Sequence, residues 1–414
     1  MTTTQDERSR WPMLLALTCA FALSQAYRTV AAIMAPSLAA DFSLSAQQLG
    51  LFAATFHFAF GALQLFMGIG IDMHGVRRTV LAAFPLVIAG SAISWLASGF
   101  GMLIAGQVLI GIGCAPAFLV CTVFIAGQFP PARFAAVSGT VLGLGGFGLL
   151  FTGTPLAWLI EASSWRAGFA VLGVLSALAW LLILWVVREP ERSAGQPRES
   201  LASAIRGFGS LLAMPHTLGI VALGSVTYAA FVTLRGLWLG PMLIERHGFS
   251  LIASGNVALL MSVSSMLGPV LFGRFDPGPA TRRKWIVGCT LAGAALIAAM
   301  AFLPLPALDV GGSILFGLVS GYIVFQYADV RAAYPAAMTG RALSLFTMSM
   351  FLGVALMQWF TGVVASAAGV RGLPIFMVVL ATIAAMLAAG ALAFRWLPRP
   401  PSAVGFPASG GAGA

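Results

Sequence analysis

The chain has 414 residues, of which 59% are hydrophobic and only 8% are charged, and its mean hydropathy is +0.96. A soluble domain needs far fewer apolar residues to build its core, so this composition predicts an integral membrane protein. The formal net charge of +10 at pH 7 raises the question of a nucleic-acid partner. The placement of the basic residues, given below, excludes that partner.

Runs of mostly apolar residues long enough for an α-helix to cross ~30 Å of hydrocarbon occur along the whole chain. We count twelve of them. The first follows Arg8 and Arg10, as a signal peptide would, but it is longer and eleven more runs follow, so we interpret it as a retained helix. The runs begin near residues 13, 47, 79, 101, 134, 166, 214, 250, 284, 310, 341 and 373.

The longest polar interruption, residues 188–213, separates six predicted spans from six and is rich in charge, Pro, Gly and Ser. We interpret it as a cytoplasmic linker between an N-terminal six-helix bundle at 1–187 and a C-terminal six-helix bundle at 214–396. Residues 397–414, rich in Pro, Gly and Ala, are predicted to form a disordered cytoplasmic tail. Gly68 and Gly273 are 205 residues apart. Such offsets predict that the two halves are structural repeats, and hence an all-α fold of two pseudo-symmetric bundles.

The basic residues are distributed asymmetrically about the predicted membrane. With the N-terminus in the cytoplasm, seventeen of the 22 fall in cytoplasmic segments and three outside, while Arg28 and Arg235 lie within spans. This is the positive-inside pattern, so the positive charge sets topology rather than binding nucleic acid. It predicts a multi-pass protein of the cytoplasmic (inner) membrane, in contact with the lipid bilayer, with both termini in the cytoplasm.

An arginine at the centre of a membrane helix costs ~2.5 to 3.5 kcal/mol on insertion scales, so Arg28 and Arg235 need partners. One interpretation pairs each with a buried carboxylate for structural reasons, but no acidic residue lies near the middle of any predicted span. An incoming anion is then the natural partner, because a guanidinium group binds carboxylate or phosphate through two parallel hydrogen bonds. The two arginines, from corresponding helices of the two halves, are therefore predicted to clamp a small anion.

Other polar residues within the spans are expected to face a central cavity, since polar side chains avoid lipid. Hydrogen bonding between helices is the alternative explanation for each. His57 is the best candidate for a proton-coupling group, although a neutral histidine bonded to a neighbouring helix fits the sequence as well. Asp329 is expected to pair with Arg331 or Arg341. The predicted substrate-binding residues besides the two arginines are Gln25, His57, Gln64, Gln107, Tyr228, Asn256, Tyr322, Gln326 and Gln358.

Between spans 2 and 3 stands the segment GIGIDMHGVRR, residues 68–78. Glycine permits close helix approach and tight turns, and Asp can cap a helix, so the segment suits a compact loop. The motif residues are Gly68, Asp72, Gly75, Arg77 and Arg78, and Gly273 and Asp276 belong to a degraded copy in the second half.

With these residues the chain resembles the major facilitator superfamily, whose loop signature they match, except that Met73 stands where the family usually has a basic residue. The resemblance implies two six-helix bundles that rock about a site near the membrane midplane, with the loop motif acting as a gate. The paired arginines resemble those on the first and seventh helices of its organic-anion and organic-phosphate carriers. Gln107 replaces an arginine that the family links to proton transfer, which questions proton coupling of the usual kind.

The sequence therefore predicts a secondary active transporter of a small anion bearing a carboxylate or phosphate, working by rocker-switch alternating access. We expect a monomer whose substrate moves with a coupling proton or a counter-anion, without cofactor or metal. No nucleophile with a base, P-loop or dinucleotide fingerprint is present, so an enzyme is not predicted. Two alternatives stay open: an exporter of hydrophobic or cationic drugs by proton antiport, and a non-transporting sensor on a transporter fold. The drug exporter is disfavoured because span 5 lacks the Gly-Pro pair typical of such antiporters.

Overall fold

The fold consists of twelve long helices, seen in a computed structural model that describes residues 3–130, 133–188, 209–275, 277–335 and 338–398. Within those residues, eleven helices have the length and composition of a membrane span, and the remaining one, α2, has 29 residues. The predicted all-α, twelve-span fold is therefore confirmed. The helices are α1 Thr3–Phe42, α2 Ala46–His74, α3 Val76–Trp95, α4 Phe100–Gln128, α5 Phe134–Ala162, α6 Trp165–Val186, α7 Pro215–Arg246, α8 Leu251–Arg274, α9 Pro279–Phe302, α10 Pro306–Ala333, α11 Thr339–Val370 and α12 Ile375–Trp396.

Local sequence signals explain where many helices begin. Helix α2 starts with a capping box, in which the Gln48 backbone N–H donates to Ser45 Oγ and the Ser45 N–H donates to Gln48 Oε1. Helices α7, α9 and α10 each begin with a proline in the first turn, where its missing N–H costs nothing. The sharp turn from α2 to α3 is made at Gly75, whose φ of 89° is a backbone conformation that residues other than glycine rarely adopt.

Four of the helices are interrupted along their length. Such irregular backbone is tolerated at membrane depth only where protein or a cavity covers it. In α7 the interruption covers the segment RGLWLGP, residues 235–241, whose two glycines and proline favour a bend or break in a helix. The interruptions are the turn at 115–116 in α4, those at 146 and 152–153 in α5, the π-helical turns Leu234–Trp238 and Met242–Arg246 in α7, and the 3₁₀ turn Ser320–Tyr322 in α10.

Within the described residues, α3 packs on α4 and α6 in the first half, while α9 packs on α12 and α8 on α10 in the second. The main contacts between the halves are those of α1 with α7, α2 with α11, and α5 with α8, and α2 also contacts α7. The predicted domain boundaries stay a prediction. Residues 189–208 of the predicted linker and residues 399–414 of the predicted tail lie outside the described residues.

The two halves are in close contact at one end of the bundle. We call the end that carries the α1–α2 turn the loop-1 end, and the end where α1 begins the linker end. At the loop-1 end Gly50 lies so close to α11 that a Cβ there would be 2.9 Å from the Cα of Gly362. The Gln47 N–H also donates to Ser366 Oγ at 2.8 Å, across the same helix pair. The Ile252 N–H donates to Glu161 Oε1 between α8 and α5. The loop-1 end is therefore closed.

Candidate functional site

Arg28 lies at the centre of the molecule, where α1 crosses α7. A Cβ atom added to Gly236 of α7 would lie only 3.2 Å from the Arg28 carbonyl oxygen, so the two helix backbones are in close contact there. The Arg28 side chain is 7% exposed and has no carboxylate within salt-bridge distance among the described residues. Its Nη1 donates to the Tyr228 hydroxyl at 3.5 Å, and its Nε has no hydrogen-bond partner in the described part of the chain.

Two aromatic rings, one from each half, contact the Arg28 guanidinium. The Cζ atom is 4.7 Å from the ring centroid of Phe60 on α2 and 4.7 Å from that of Phe351 on α11. The two ring centroids are only 4.4 Å apart. Rings on opposite faces of the guanidinium would be about twice 4.7 Å apart, so both rings lie on the same side of it.

Arg235, on α7, has a different environment. It is fully buried, and its Nε donates to the Ala258 carbonyl and to Ser262 Oγ on α8, each at 3.0 Å. Its Nη2 contacts the Leu149 carbonyl at 3.2 Å and both the carbonyl and the hydroxyl of Thr152 at 3.4 Å. Leu149 and Thr152 belong to α5, so the guanidinium bridges the halves. Only Nη1 lacks a partner among the described residues.

The break in α5 explains why carbonyl oxygens are available to Arg235. At residues 152–153 the helix gives way to a turn, so carbonyls of the preceding turn lose their usual helical donors. Thr152 Oγ1 also lies 2.6 Å from Thr29 Oγ1 on α1. Arg235 thus satisfies buried acceptors rather than a carboxylate, a solution that sequence reasoning did not consider. In this conformation the two arginines point to opposite sides of the α1–α7 crossing.

Two of the other predicted residues lie next to Arg28 towards the loop-1 end. His57 and Gln358 are 1% and 0% exposed and face each other from α2 and α11. His57 Nδ1 bonds the Ala53 carbonyl at 3.1 Å, while its Nε2 and both amide atoms of Gln358 make no well-aligned hydrogen bond within the described residues. Gln25, one turn of α1 towards the linker end, is half-buried.

The remaining predicted substrate-binding residues are dispersed. Gln326 accepts from Thr227 Oγ1 at 3.0 Å, beside Tyr228. Most of the others form bonds typical of helix packing. Gln64 donates to the Ala115 carbonyl, Tyr322 bonds Thr290 within the second half, Asn256 accepts from Thr154 at the loop-1 end, and Gln107 is buried in α4 with its Nε2 unpartnered among the described residues.

The loop motif lies at the linker end. Arg77 donates to the carbonyls of Val187 and Leu184, at 2.7 and 2.9 Å, and so caps the end of α6, while Arg78 is exposed. A Cβ on Gly68 would meet only Leu119, at an ordinary 3.8 Å, so no close helix approach requires that glycine in this conformation. Gly273 has open space around it. The predicted roles of Asp72 and Asp276 lie outside what the structure describes, since it covers neither the Asp72 side chain nor residue 276.

Among the described residues, the buried and half-buried carboxylates lie towards the two ends of the bundle. Asp329 receives two parallel hydrogen bonds from Arg283 on α9, at 2.9 and 3.0 Å, and Arg283 stacks on Phe394. The expected pairing of Asp329 with Arg331 or Arg341 is therefore wrong, because Arg283, 46 residues earlier in the chain, bonds both carboxylate oxygens. At the loop-1 end, Asp309 is fully buried and held by Arg246 and His247.

A family model of the Major Facilitator Superfamily matches residues 16–329. The chain belongs to this superfamily. The membership and the transporter relatives confirm the prediction that the chain is not an enzyme.

Several curated relatives carry the names of anion transporters. The chain is 26% identical over 197 residues to a hexuronate transporter of Bacillus subtilis, covering 48% of this chain and 45% of the relative. It is 23% identical over 295 residues to a probable galactarate/D-glucarate transporter of the same organism, covering 64% of each. The match to these two relatives thus spans between about half and two thirds of their length. Another match, 24% identical over 324 residues, is a 2-nitroimidazole transporter of Escherichia coli, covering 77% of this chain and 80% of the relative.

Solved structures share the fold. A D-xylose-proton symporter gives a TM-score of 0.72 at 16% identity, covering 94% of this chain and 98% of that one. A bacterial homologue of the human lysosomal transporter Spinster, in an inward-facing and unoccupied conformation, gives 0.69 at 20% identity, covering 94% and 95%.

Sequence reasoning missed the residues that surround the two arginines. Phe60 lies three residues after His57 and Phe351 seven residues before Gln358, so helical spacing places each ring on the same face as a predicted polar residue. That spacing could have identified them as neighbours of the site. The backbone carbonyls that accept from Arg235 could not be identified from sequence spacing, because every residue has a backbone carbonyl.

Proposed function

We propose that this protein is a secondary transporter of a small organic anion that binds through a carboxylate to Arg28. The observation that carries the proposal is the state of the Arg28 guanidinium. It is 7% exposed, no described carboxylate pairs with it, and its one hydrogen bond is a long contact of 3.5 Å to Tyr228. A buried cation without a counter-charge is costly, and a carboxylate in the plane of the guanidinium would supply both charge and hydrogen bonds.

The names of the relatives support an anion over a neutral or cationic compound. Hexuronate, galactarate and D-glucarate carry carboxylates, and a further match, 24% identical over 172 residues, is a probable sulfoacetate transporter of Cupriavidus necator. Carboxylates and sulfonates are ionised at neutral pH. A buried arginine on α1 provides the complementary charge at the membrane midplane.

The two arginines are proposed to act differently, although both were predicted as ligands. Arg28 has donors left for a ligand, whereas all but one of the nitrogen atoms of Arg235 contact acceptors on α5 and α8. We propose Arg28 as the primary anion contact and Arg235 as a tie between the halves in the loop-1-closed state. A direct contact between Arg235 and the substrate stays a prediction for another stage of the cycle.

The alternating-access cycle is proposed to open the loop-1 and linker ends in turn. The positive-inside pattern supports a linker end that faces the cytoplasm, with the inner membrane as the location. In that orientation the closed loop-1 end seals Arg28 from the outside. Partial exposure of Tyr228 and Gln25, on the linker side of Arg28, is consistent with access from the cytoplasm.

The test begins with binding to purified protein. D-glucuronate, D-glucarate and sulfoacetate are added separately at matched ionic strength and the melting temperature is recorded, with D-glucose as the uncharged control. The anion that stabilises most is then radiolabelled for uptake into liposomes. We expect Arg28→Gln to weaken its binding by at least about 30-fold, because the charge and the hydrogen bonds are both lost. Arg28→Lys keeps the positive charge but lacks the planar, two-pronged donor geometry of the guanidinium, so its anion affinity should lie between those of Arg28→Gln and the wild type.

The control variant is Arg395→Gln, which removes a positive charge near the linker end of α12, away from the central crossing. It should leave anion affinity within about 3-fold of the wild type, about the size of a screened long-range charge effect. Equal binding of the anion by wild type and Arg28→Gln would refute the proposal. Transport of 2-nitroimidazole that survives Arg28→Gln, with no response to any of the three anions, would favour the drug-export alternative.

A further inference from the structure

The ring pair formed by Phe60 and Phe351 is the only place in the described structure where one aromatic residue from each half contacts the same buried cation. Phe60 is 1% exposed and Phe351 is 6% exposed. A Cβ on Gly61 would lie 3.0 Å from the Cβ of Phe351, so α2 and α11 are in close contact beside the rings. The pair is thus part of the interface between the halves as well as the wall of the Arg28 site.

This interface continues to the loop-1 end along the same two helices. Towards that end, His57 lies about one turn from Phe60 on α2 and Gln358 about two turns from Phe351 on α11. A Cβ on Gly50 would lie 2.6 Å from the Gln358 carbonyl oxygen. Opening the loop-1 end requires α2 and α11 to part along this line. The separation withdraws one ring from the other and leaves Arg28 with at most one of its two aromatic contacts.

The strength of these contacts depends on the charge of the guanidinium. A desolvated cation is attracted to the electron-rich ring face, and this attraction is stronger in the membrane interior than in water. A bound carboxylate neutralises the charge and weakens its attraction to both rings. The ring pair therefore holds α2 and α11 together most strongly when Arg28 is empty.

We propose that Phe60 and Phe351 are positioning residues that oppose opening of the loop-1 end by the empty transporter, so that the protein exchanges anions much faster than it releases them without return cargo. This inference rests on the proposed anion contact at Arg28. Loading Arg28 releases the ring pair, and the loaded transporter opens. The empty transporter must separate the rings while the cation still attracts them.

The experiment compares two fluxes from liposomes that contain the wild-type protein and labelled D-glucuronate. Exchange is measured into buffer with unlabelled D-glucuronate, and net efflux into buffer without any transported anion. Exchange by the wild type should exceed net efflux by about 10- to 30-fold, the factor that corresponds to a desolvated cation–π contact. Phe351→Leu and Phe60→Leu should reduce this ratio towards one by accelerating net efflux. Phe351→Tyr, which keeps the ring face, should retain the wild-type ratio.

Phe346→Leu is the matched control, because Phe346 is a buried ring on the same helix that contacts Tyr327 instead of Arg28. Its ratio should equal that of the wild type. A second measurement needs no flux: spin labels at the loop-1 end of each half should show a larger open fraction in ligand-free Phe60→Leu and Phe351→Leu than in Phe346→Leu.

Two failures can be told apart. If D-glucuronate moves but Arg28→Gln does not impair it, the proposed anion contact at Arg28 is wrong. If transport depends on Arg28 while both leucine variants keep the wild-type flux ratio and open fraction, only the role of the rings is overturned. A wild type whose net efflux equals its exchange also overturns that role.

Discussion

Gly50, ten residues before Phe60 on α2, provides a direct way to disturb the closed loop-1 end. A Cβ at this position would lie 2.6 Å from the Gln358 carbonyl oxygen and 2.9 Å from the Cα of Gly362. Non-bonded heavy atoms pack at about 3.5 to 4.0 Å, so Gly50→Ala requires α2 and α11 to separate by about 1 Å. Both close neighbours are backbone atoms of a helix and cannot turn away as the end of a flexible side chain could.

The size of the effect follows from the cost of overpacking, about 1 to 3 kcal/mol. Alanine also favours the helix over glycine by about 1 kcal/mol, but α2 is a helix whichever end of the transporter is open, so this gain does not affect the equilibrium between the two states. The clash exists only when the loop-1 end is closed. Gly50→Ala should therefore shift the population towards loop-1-open by about 5- to 150-fold.

Spin labels at Ser98 and Val370, which are exposed at the loop-1 end of opposite halves, report this shift as a longer inter-label distance. The labels are introduced as cysteines after replacement of the four native cysteines. Gly101→Ala is the control, because a Cβ at Gly101 meets nothing within 4 Å. A distance distribution for Gly50→Ala that matches both the wild type and Gly101→Ala would show that the α2–α11 contact does not hold the end closed.

Two other substitutions test the contacts made by charged side chains. Arg235→Gln should open the loop-1 end by about 5- to 50-fold in the same distance measurement, because it removes the guanidinium contacts to Thr152 and its α5 neighbours. An inter-label distance distribution equal to that of the wild type would show that Arg235 does not hold the two halves together at the loop-1 end. Asp329→Asn should lower the unfolding free energy by about 1 to 3 kcal/mol, seen as a lower melting temperature, since it leaves the half-buried Arg283 without its carboxylate. Anion affinity should stay unchanged in that variant, and a large loss of affinity would contradict the separation of Asp329 from the Arg28 site.

Much of the fold could be predicted because hydropathy is a local property. A run of some 20 apolar residues must become a helix in the membrane wherever it later packs, since its backbone hydrogen bonds have to be made internally. The same locality explains the errors. The sequence predicts nearby Arg331 or Arg341 as the partner of Asp329, but the α9–α10 hairpin places Arg283, near the start of α9, beside Asp329, near the end of α10. Pairings between halves, such as Phe60 with Phe351, depend on the final packing and have no signal in either helix alone.

The prediction that neither buried arginine has an acidic partner agrees with the ion pairs among the described residues. The absence of a carboxylate does not by itself require a ligand at Arg235, because carbonyl oxygens also stabilise a guanidinium group. The broken α5 supplies carbonyl oxygens instead. A helix interruption is hard to foresee in a glycine-rich span, where many positions are equally able to turn.

Arg28 and Arg235 are 207 residues apart, whereas the helices packed beside them, α2 and α8, correspond at an offset of 205 residues, as Gly68 and Gly273 do. Comparison at that offset shows why the two arginines have different surroundings. Ala258 and Ser262, which accept from Arg235, correspond to Ala53 and His57 in the first half. His57 directs its own Nδ1 to the Ala53 carbonyl. In the first half, His57 replaces the serine hydroxyl and bonds the carbonyl that corresponds to the Ala258 carbonyl. Arg28 therefore has no hydrogen-bond partner on α2 among the described residues.

The aromatic partners differ in the same way. Phe60 and Phe351, which contact Arg28, correspond at this offset to Ser265 and Gly146, so the second arginine has no equivalent ring pair. The helix that faces Arg235 is broken and offers carbonyls, whereas its counterpart α11 is continuous over 32 residues and offers none. On α11 the contact with Arg28 is made by the ring of Phe351, and an aromatic face stabilises a cation without supplying the negative charge that would exclude an anion. The asymmetry between the repeats thus leaves one arginine bonded to the backbone and the other available to a ligand.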